Sequence, residues 1–182
     1  MNEYDLYKRI LAPHLSPEDQ TCLAENKNTH KAKIIAGKIA YTLYRYDQDE
    51  QKELFLPFFN HSHGLKDLLK FCDYILLAER NNKLYVLLIE MKNGSNTDAQ
   101  KQLEASETFM NFIQDTASRI CSTNGYDDFN QKNITTRRII LKPQKSKSLT
   151  NLTKSKGGID WTAQPLICTS DVLPLHQICI PN

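Results

Sequence analysis

Two apolar runs, Phe71 to Ala78 and Leu84 to Ile89, flank the polar pair Asn81-Asn82. Asparagine tolerates positive φ, so this pair is a tight-turn signal and the stretch predicts a β-hairpin. With Asn81 and Asn82 as turn residues, Arg80 faces Lys83, and counting outward sets Asp73 directly across from Glu90. Lys92 lies two residues beyond. Period-two alternation then directs Asp73, Glu90 and Lys92 to one side of the sheet, with Ile75, Leu77, Leu84, Val86 and Leu88. Tyr74, Leu76, Ala78, Tyr85, Leu87, Ile89 and Met91 take the other side. Strands apolar on both faces belong in the middle of a covered sheet.

After the hairpin, Asn93-Gly94-Ser95-Asn96 reads as a turn, and Thr97-Asp98-Ala99-Gln100 has the form of a capping box. Ala99, Gln102 or Leu103, Ser106, Phe109 or Met110, Ile113, Ala117 and Ile120 recur at helical spacing and predict a helix of about six turns packed on the sheet. Gln102 falls on the inward side of that helix, where an amide needs a partner: Lys92, a metal-bound water, a phosphate, or solvent at the edge of the stripe.

Elsewhere the pattern is weaker. Tyr4, Tyr7 and Leu11 suggest a helix over Glu3 to Leu11, and Ser16-Pro17-Glu18-Asp19 resembles a helix start, giving a helix from Pro17 to about Asn26. Lys38 to Tyr46 alternates and is rich in β-favouring residues, which fits a strand or the end of a helix begun near Thr29. Glu53 to Phe59 is interrupted by Pro57 and leads into His61-Ser62-His63, a pair without third or fourth ligands at useful spacing, so it reads as a polar loop. Leu65 to Leu69 reads as a short helical approach to the hairpin. Tyr126 to Asn130 is a polar connection, and Thr135 to Lys142 a further core strand. Trp161, Pro165 to Cys168 and Val172 to Ile180 supply closing strand or helix segments.

The 182-residue length suits one domain, 1–182, with a core of its own, and no repeat is visible. Cys22, Cys72, Cys121, Cys168 and Cys179 are scattered, without a Cys-x-x-Cys pair, which suits a reducing cytoplasm and excludes a zinc ribbon. The N-terminus lacks a secretory pattern and no run approaches the ~18 apolar residues of a membrane span, so no membrane association is expected.

A net charge of +2 is unremarkable, but its distribution is uneven. From Lys132 to Lys156 there are eight Lys or Arg and no Asp or Glu. Arg137, Arg138, Lys142, Lys145 and Lys147 are the candidate phosphate contacts, the last three in or beside a basic loop at about 142–158. The plainer reading is a solvated loop with incidental charge. At the hairpin, two opposed carboxylates repel, and burial makes their ionised forms costly unless a cation bridges them. Lys92 would add an ammonium able to orient or deprotonate a metal-bound water. The plainer alternative is a solvated strand end with Asp73 capping a turn.

Asp73 followed by Glu90-Met91-Lys92 resembles the PD-(D/E)xK phosphodiesterase superfamily, and Gln102-Leu103 is similar to the Gln-Leu helix of its small members. The resemblance spans about residues 70–113, with Cys72 where the name's Pro would stand. It implies a restriction-endonuclease-like α/β fold, a mixed central sheet flanked by helices on both faces. It also implies a nuclease using Mg²⁺, with Mn²⁺ as a substitute, that cuts phosphodiester bonds, most often in DNA, in restriction, repair or anti-phage defence. Asp73, Glu90 and the Met91 carbonyl would hold the metal; Asp73, Glu90, Lys92 and Gln102 form the catalytic set. An acidic residue of the first core helix, Glu18 or Glu25, would join them. Action as a homodimer, or with an activating partner, fits such small enzymes. The alternative is a non-catalytic nucleic-acid-binding or assembly subunit that keeps the fold; a third reading is a module whose basic loop contacts an acidic protein.

Overall fold

Asn81 and Asn82 adopt φ of 53° and 56°, the paired positive angles of a tight hairpin turn. This turn joins β4 (Tyr74–Arg80) to β5 (Lys83–Met91) with Arg80 opposite Lys83 and Tyr74 opposite Ile89, the register expected from sequence. In the computed structural model the described residues are 2–25, 30–46, 70–92, 97–124, 130–143, 151–152 and 165–180. The expectations for residues 53–69, the 93–96 turn, residues 126–129, Lys145, Lys147 and most of the basic loop, and Trp161 lie outside them.

Among the described residues, the main sheet has six strands in the order β3-β4-β5-β6-β8-β7. They are β3 (Ala40–Arg45), the hairpin, β6 (Ile134–Lys142), β7 (Asn151–Leu152) and β8 (Leu166–Thr169). β5, β6 and β8 run parallel, while β3, β4 and β7 join antiparallel. The hairpin therefore lies centrally, which is why its strands are apolar on both sides.

One face is covered by α1 (Glu3–Ile10) and α2 (Thr97–Asn124). The stripe Ala99, Leu103, Ser106, Met110, Ile113, Ala117 and Cys121 is buried along α2, its apolar members packing on Ile75, Leu77, Val86, Leu88 and Ile140. At 28 residues, α2 is about eight turns, longer than the apolar pattern alone suggested. The other face carries a second, mixed sheet, β1 (Cys22–Ala24), β2 (Lys31–Ile35) and β9 (Val172–Pro174), with the one-turn α3 (Leu175–Ile178). Leu23, Ile34, Leu173 and Ile178 from this layer bury Leu76, Leu87 and Ile89. The architecture is mixed α/β. Among the described residues, α1 and α2 lie on one face and the small sheet with the one-turn α3 covers the other.

The helix expected from Pro17 fails to form. Asp19 instead accepts from the Thr21 N–H and hydroxyl at 2.8 and 2.7 Å, a local turn that competes with helix. Gln20 takes the place of a neighbouring strand: its Oε1 accepts from Leu43 N–H at 2.7 Å and its Nε2 donates to Leu43 O at 3.2 Å. That saturates Leu43 on the outer edge of β3, and the Lys38 to Tyr46 stretch is strand over Ala40–Arg45.

Candidate active site

Continuing the β4–β5 register by one pair beyond Tyr74 and Ile89 sets Asp73 across from Glu90. The two residues interlock. Asp73 N–H donates to Glu90 Oε2 at 3.1 Å, and Met91 N–H donates to Asp73 Oδ2 at 2.7 Å. Each carboxylate is thus pinned by a backbone amide of the opposite strand. Lys92 Nζ stands 2.7 Å from Glu90 Oε1, with its side chain 28% exposed. Glu90 is fully buried. Lys92 therefore lies between the buried carboxylate and solvent.

Burial, and then the charge of Asp73, push the Glu90 carboxyl up to about 8; Lys92 and the Asp73 amide pull the other way without offsetting them. A buried carboxylate with a proton this tightly held is a recurrent property of functional sites. Additional positive charge beside Asp73 and Glu90 would favour the ionised pair. Among the described residues no group of three or more His, Cys, Asp or Glu gathers, so the acidic centre consists of two carboxylates.

The end of α2 is tied to the same strand end. Gln102 Nε2 donates to Phe71 O at 3.3 Å, so the amide fastens backbone. Ser106 Oγ accepts from Cys72 N–H at 2.7 Å and donates to Gln102 O at 2.9 Å. Ser106 was visible in sequence only as a small residue in an apolar stripe. Burial pushes the Cys72 thiol up to about 12, which leaves it unreactive. A shallow cleft beside this junction is lined by Lys70, Asp98, Lys101 and Gln102.

The basic candidates separate into different fates. Lys92 N–H donates to Leu141 O, and extending the parallel β5–β6 register beyond Met91 and Leu141 aligns Lys92 with Lys142. By alternation both belong to the face that bears Glu90. Arg138 lies 3.9 Å from Glu104 and 3.9 Å from Glu107 of α2, and its side chain is 10% exposed. Its charge is answered within the chain. Arg137, expected to meet phosphates, is fully buried on the opposite face; it donates to the carbonyls of Ile178 and Ile180 and stacks 5.4 Å from the Tyr85 ring centre. It closes the C-terminal segment over the sheet and cannot reach a polyanion.

Nor does an early acidic residue join the pair. Glu18 is exposed on the loop before β1, and Glu25 follows β1 in the small sheet, which covers the face away from Glu90. The actual first helix buries Glu3, but that carboxylate accepts from Asn130 N–H and the Asn133 side chain just before β6 begins. Glu90 pairs with Ile140 near the far end of β6, so Glu3 belongs to the opposite end of the sheet.

Comparison of the chain with known protein families, with curated proteins and with solved structures gives no match.

Proposed function

We propose that this protein is a divalent-metal-dependent nuclease of the PD-(D/E)xK kind, hydrolysing phosphodiester bonds and most often those of DNA. The observation that carries the reading is the interlocked pair Asp73–Glu90 with Lys92 at its mouth. Two hard oxygen donors set against each other, one of them fully buried, fit a hard cation. Asp73 and Glu90, with the Met91 carbonyl, would hold Mg²⁺ or Mn²⁺. When bound, such an ion supplies Lewis acidity and a more acidic water.

The chain's own residues supply the rest. Lys92 presents its ammonium at the mouth of the site, where it orients the attacking water and offsets negative charge growing on the scissile phosphate. Gln102 holds the Phe71 carbonyl and so fixes the segment leading into Asp73. Lys142, aligned with Lys92 at the end of β6, takes a neighbouring phosphate of the substrate. The resemblance to the superfamily supports this assignment of roles, as does the position of the site at the carboxyl ends of parallel strands, where open α/β sheets commonly bind ligands. No helix among the described residues is long and apolar enough to cross a membrane.

A second reading has an observation of its own. Glu90 Oε2 and Asp73 Oδ2 each accept a backbone N–H, and Glu90 Oε1 lies against the Lys92 ammonium, so the trio can also act as a staple in a nucleic-acid-binding subunit that does not cut. Cleavage of single- and double-stranded DNA and RNA by wild type and Lys92→Ala, in Mg²⁺, Mn²⁺ and EDTA, separates the two. The nuclease reading expects metal-dependent cutting that Lys92→Ala loses. No cutting under any condition, with equal nucleic-acid binding by both proteins, would favour the subunit.

A further inference from the structure

Resting on the nuclease reading, we propose that Ser106 is a positioning residue for the site, acting through the backbone of Cys72 to hold Asp73 against Glu90. Ser106 is fully buried within α2. Its hydroxyl accepts from Cys72 N–H at 2.7 Å, and the next amide in the chain, that of Asp73, donates to Glu90 Oε2 at 3.1 Å. Asp73 O in turn accepts from Tyr46 N–H at 3.0 Å, beyond the end of β3. β4 begins only at Tyr74, so residues 71–73 lie before its ladder. They are held by discrete bonds to Ser106, Gln102, Tyr46, Glu90 and Met91 and by the packing of Phe71 on Tyr46 and Phe109.

The residue type supports a role outside the helix. Serine is a poorer helix former than alanine, and its back-bond to Gln102 O adds little to α2. Alanine would fill this inward position more favourably for the helix alone. What alanine lacks is an acceptor for the Cys72 amide, and a buried N–H without one carries a substantial penalty. The segment would shift to find another partner, carrying Asp73 with it. The distance between the two carboxylates, on which cation binding depends, would then be lost while α2 remains intact.

The test uses the whole chain as wild type, Ser106→Ala, Ser106→Cys and Ser106→Thr. Cysteine keeps the shape but is a weak acceptor, so it serves where alanine impairs folding; threonine keeps the hydroxyl. Amide hydrogen exchange, which needs neither metal nor activity, is read at Cys72 and Asp73 against the centre of β5. Mn²⁺ affinity is read by calorimetry, and kcat and KM on any polynucleotide that wild type cuts.

The expected result is exchange at Cys72 and Asp73 at least tenfold faster in Ala and Cys, with β5 unchanged. Mn²⁺ affinity falls about tenfold, kcat falls with KM held, and Thr restores each quantity. Unchanged exchange at Asp73 in both Ala and Cys overturns the proposal, as does Thr behaving like Ala. Should wild type bind no Mn²⁺, the nuclease reading fails by that result, and the exchange rates alone decide whether Ser106 positions Asp73.

Discussion

The protein buries charge on both faces of its main sheet, and the two sites resolve it differently. On the small-sheet face, Arg137 stacks on Tyr85 and donates to backbone carbonyls at the end of the chain, while Arg80 donates to the carbonyls of His176 and Cys179 at 2.9 and 2.7 Å. Backbone carbonyls answer each guanidinium. On the helix face, a carboxylate is buried against another carboxylate, and Lys92 offsets only part of the repulsion. A buried charge met by fixed acceptors holds structure together. A buried carboxyl set against another carboxylate keeps its proton instead, and an incoming cation can displace that proton.

The largest effect expected from this contrast is on activity. Under the proposed reading, Lys92→Ala lowers the single-turnover cleavage rate roughly 10²–10⁴-fold. Its thermal midpoint should fall only modestly, because Glu90 keeps its proton once the ammonium beside it is gone. Arg137→Ala should do the reverse. Stranding the Ile178 and Ile180 carbonyls and opening a cavity against Tyr85 costs about 3 kcal/mol or more of stability. Cleavage per folded molecule and its salt dependence should stay as in wild type. Loss of polynucleotide binding by folded Arg137→Ala would refute the division drawn between the two faces.

The next effect is on stability against pH. Because the folded chain holds the Glu90 proton more tightly than the unfolded chain does, this group's contribution to metal-free stability is fully present below the usual carboxylate range and is lost as pH rises through about 8. Urea midpoints measured in EDTA should therefore fall between pH 6 and pH 9, and Mn²⁺ at pH 9 should recover the loss. Glu90→Gln, which carries no ionisable carboxyl, should flatten that slope and abolish the Mn²⁺ effect. An equal slope in Glu90→Gln would locate the titrating group elsewhere. Arg137→Ala should leave the slope intact, since its groups lie on the other face.

What could be read in advance follows the same division. The hairpin was legible because Asn81-Asn82 fixes a two-residue turn, and counting from it reaches Asp73 opposite Glu90 without tertiary information. The inward stripe of α2 was legible from its spacing. The Pro17 helix was misread because Ser-Pro-Glu-Asp suits a helix start and a bent loop equally; the deciding bonds, from Gln20 to Leu43, join residues 23 apart. Arg137 was misread because it sits in a basic run. Only its place in β6, on the side facing α3, separates it from Arg138 and Lys142, and alternation alone cannot say which face is covered by what. Ser106 carried no polar signal, because its partner is a backbone amide and backbone has no sequence.

The smallest effect sharpens the contrast within β6 itself. Lys142 and Arg137 lie five residues apart on one strand, so alternation directs them to opposite faces. If the helix face at the end of β6 meets a polyanion, Lys142→Ala removes about one phosphate contact, weakening binding several-fold and reducing the slope of log affinity against log salt by about 0.9. The midpoint of unfolding should be unaffected, since Lys142 is only half-buried and its carbonyl still accepts from Ser170 N–H. Fluorescence anisotropy on a labelled duplex, in Ca²⁺ to avoid cutting and across a salt series, reads the slope directly. A slope unchanged by Lys142→Ala would detach β6 from substrate and leave Lys92 as the one basic contact argued from the sheet.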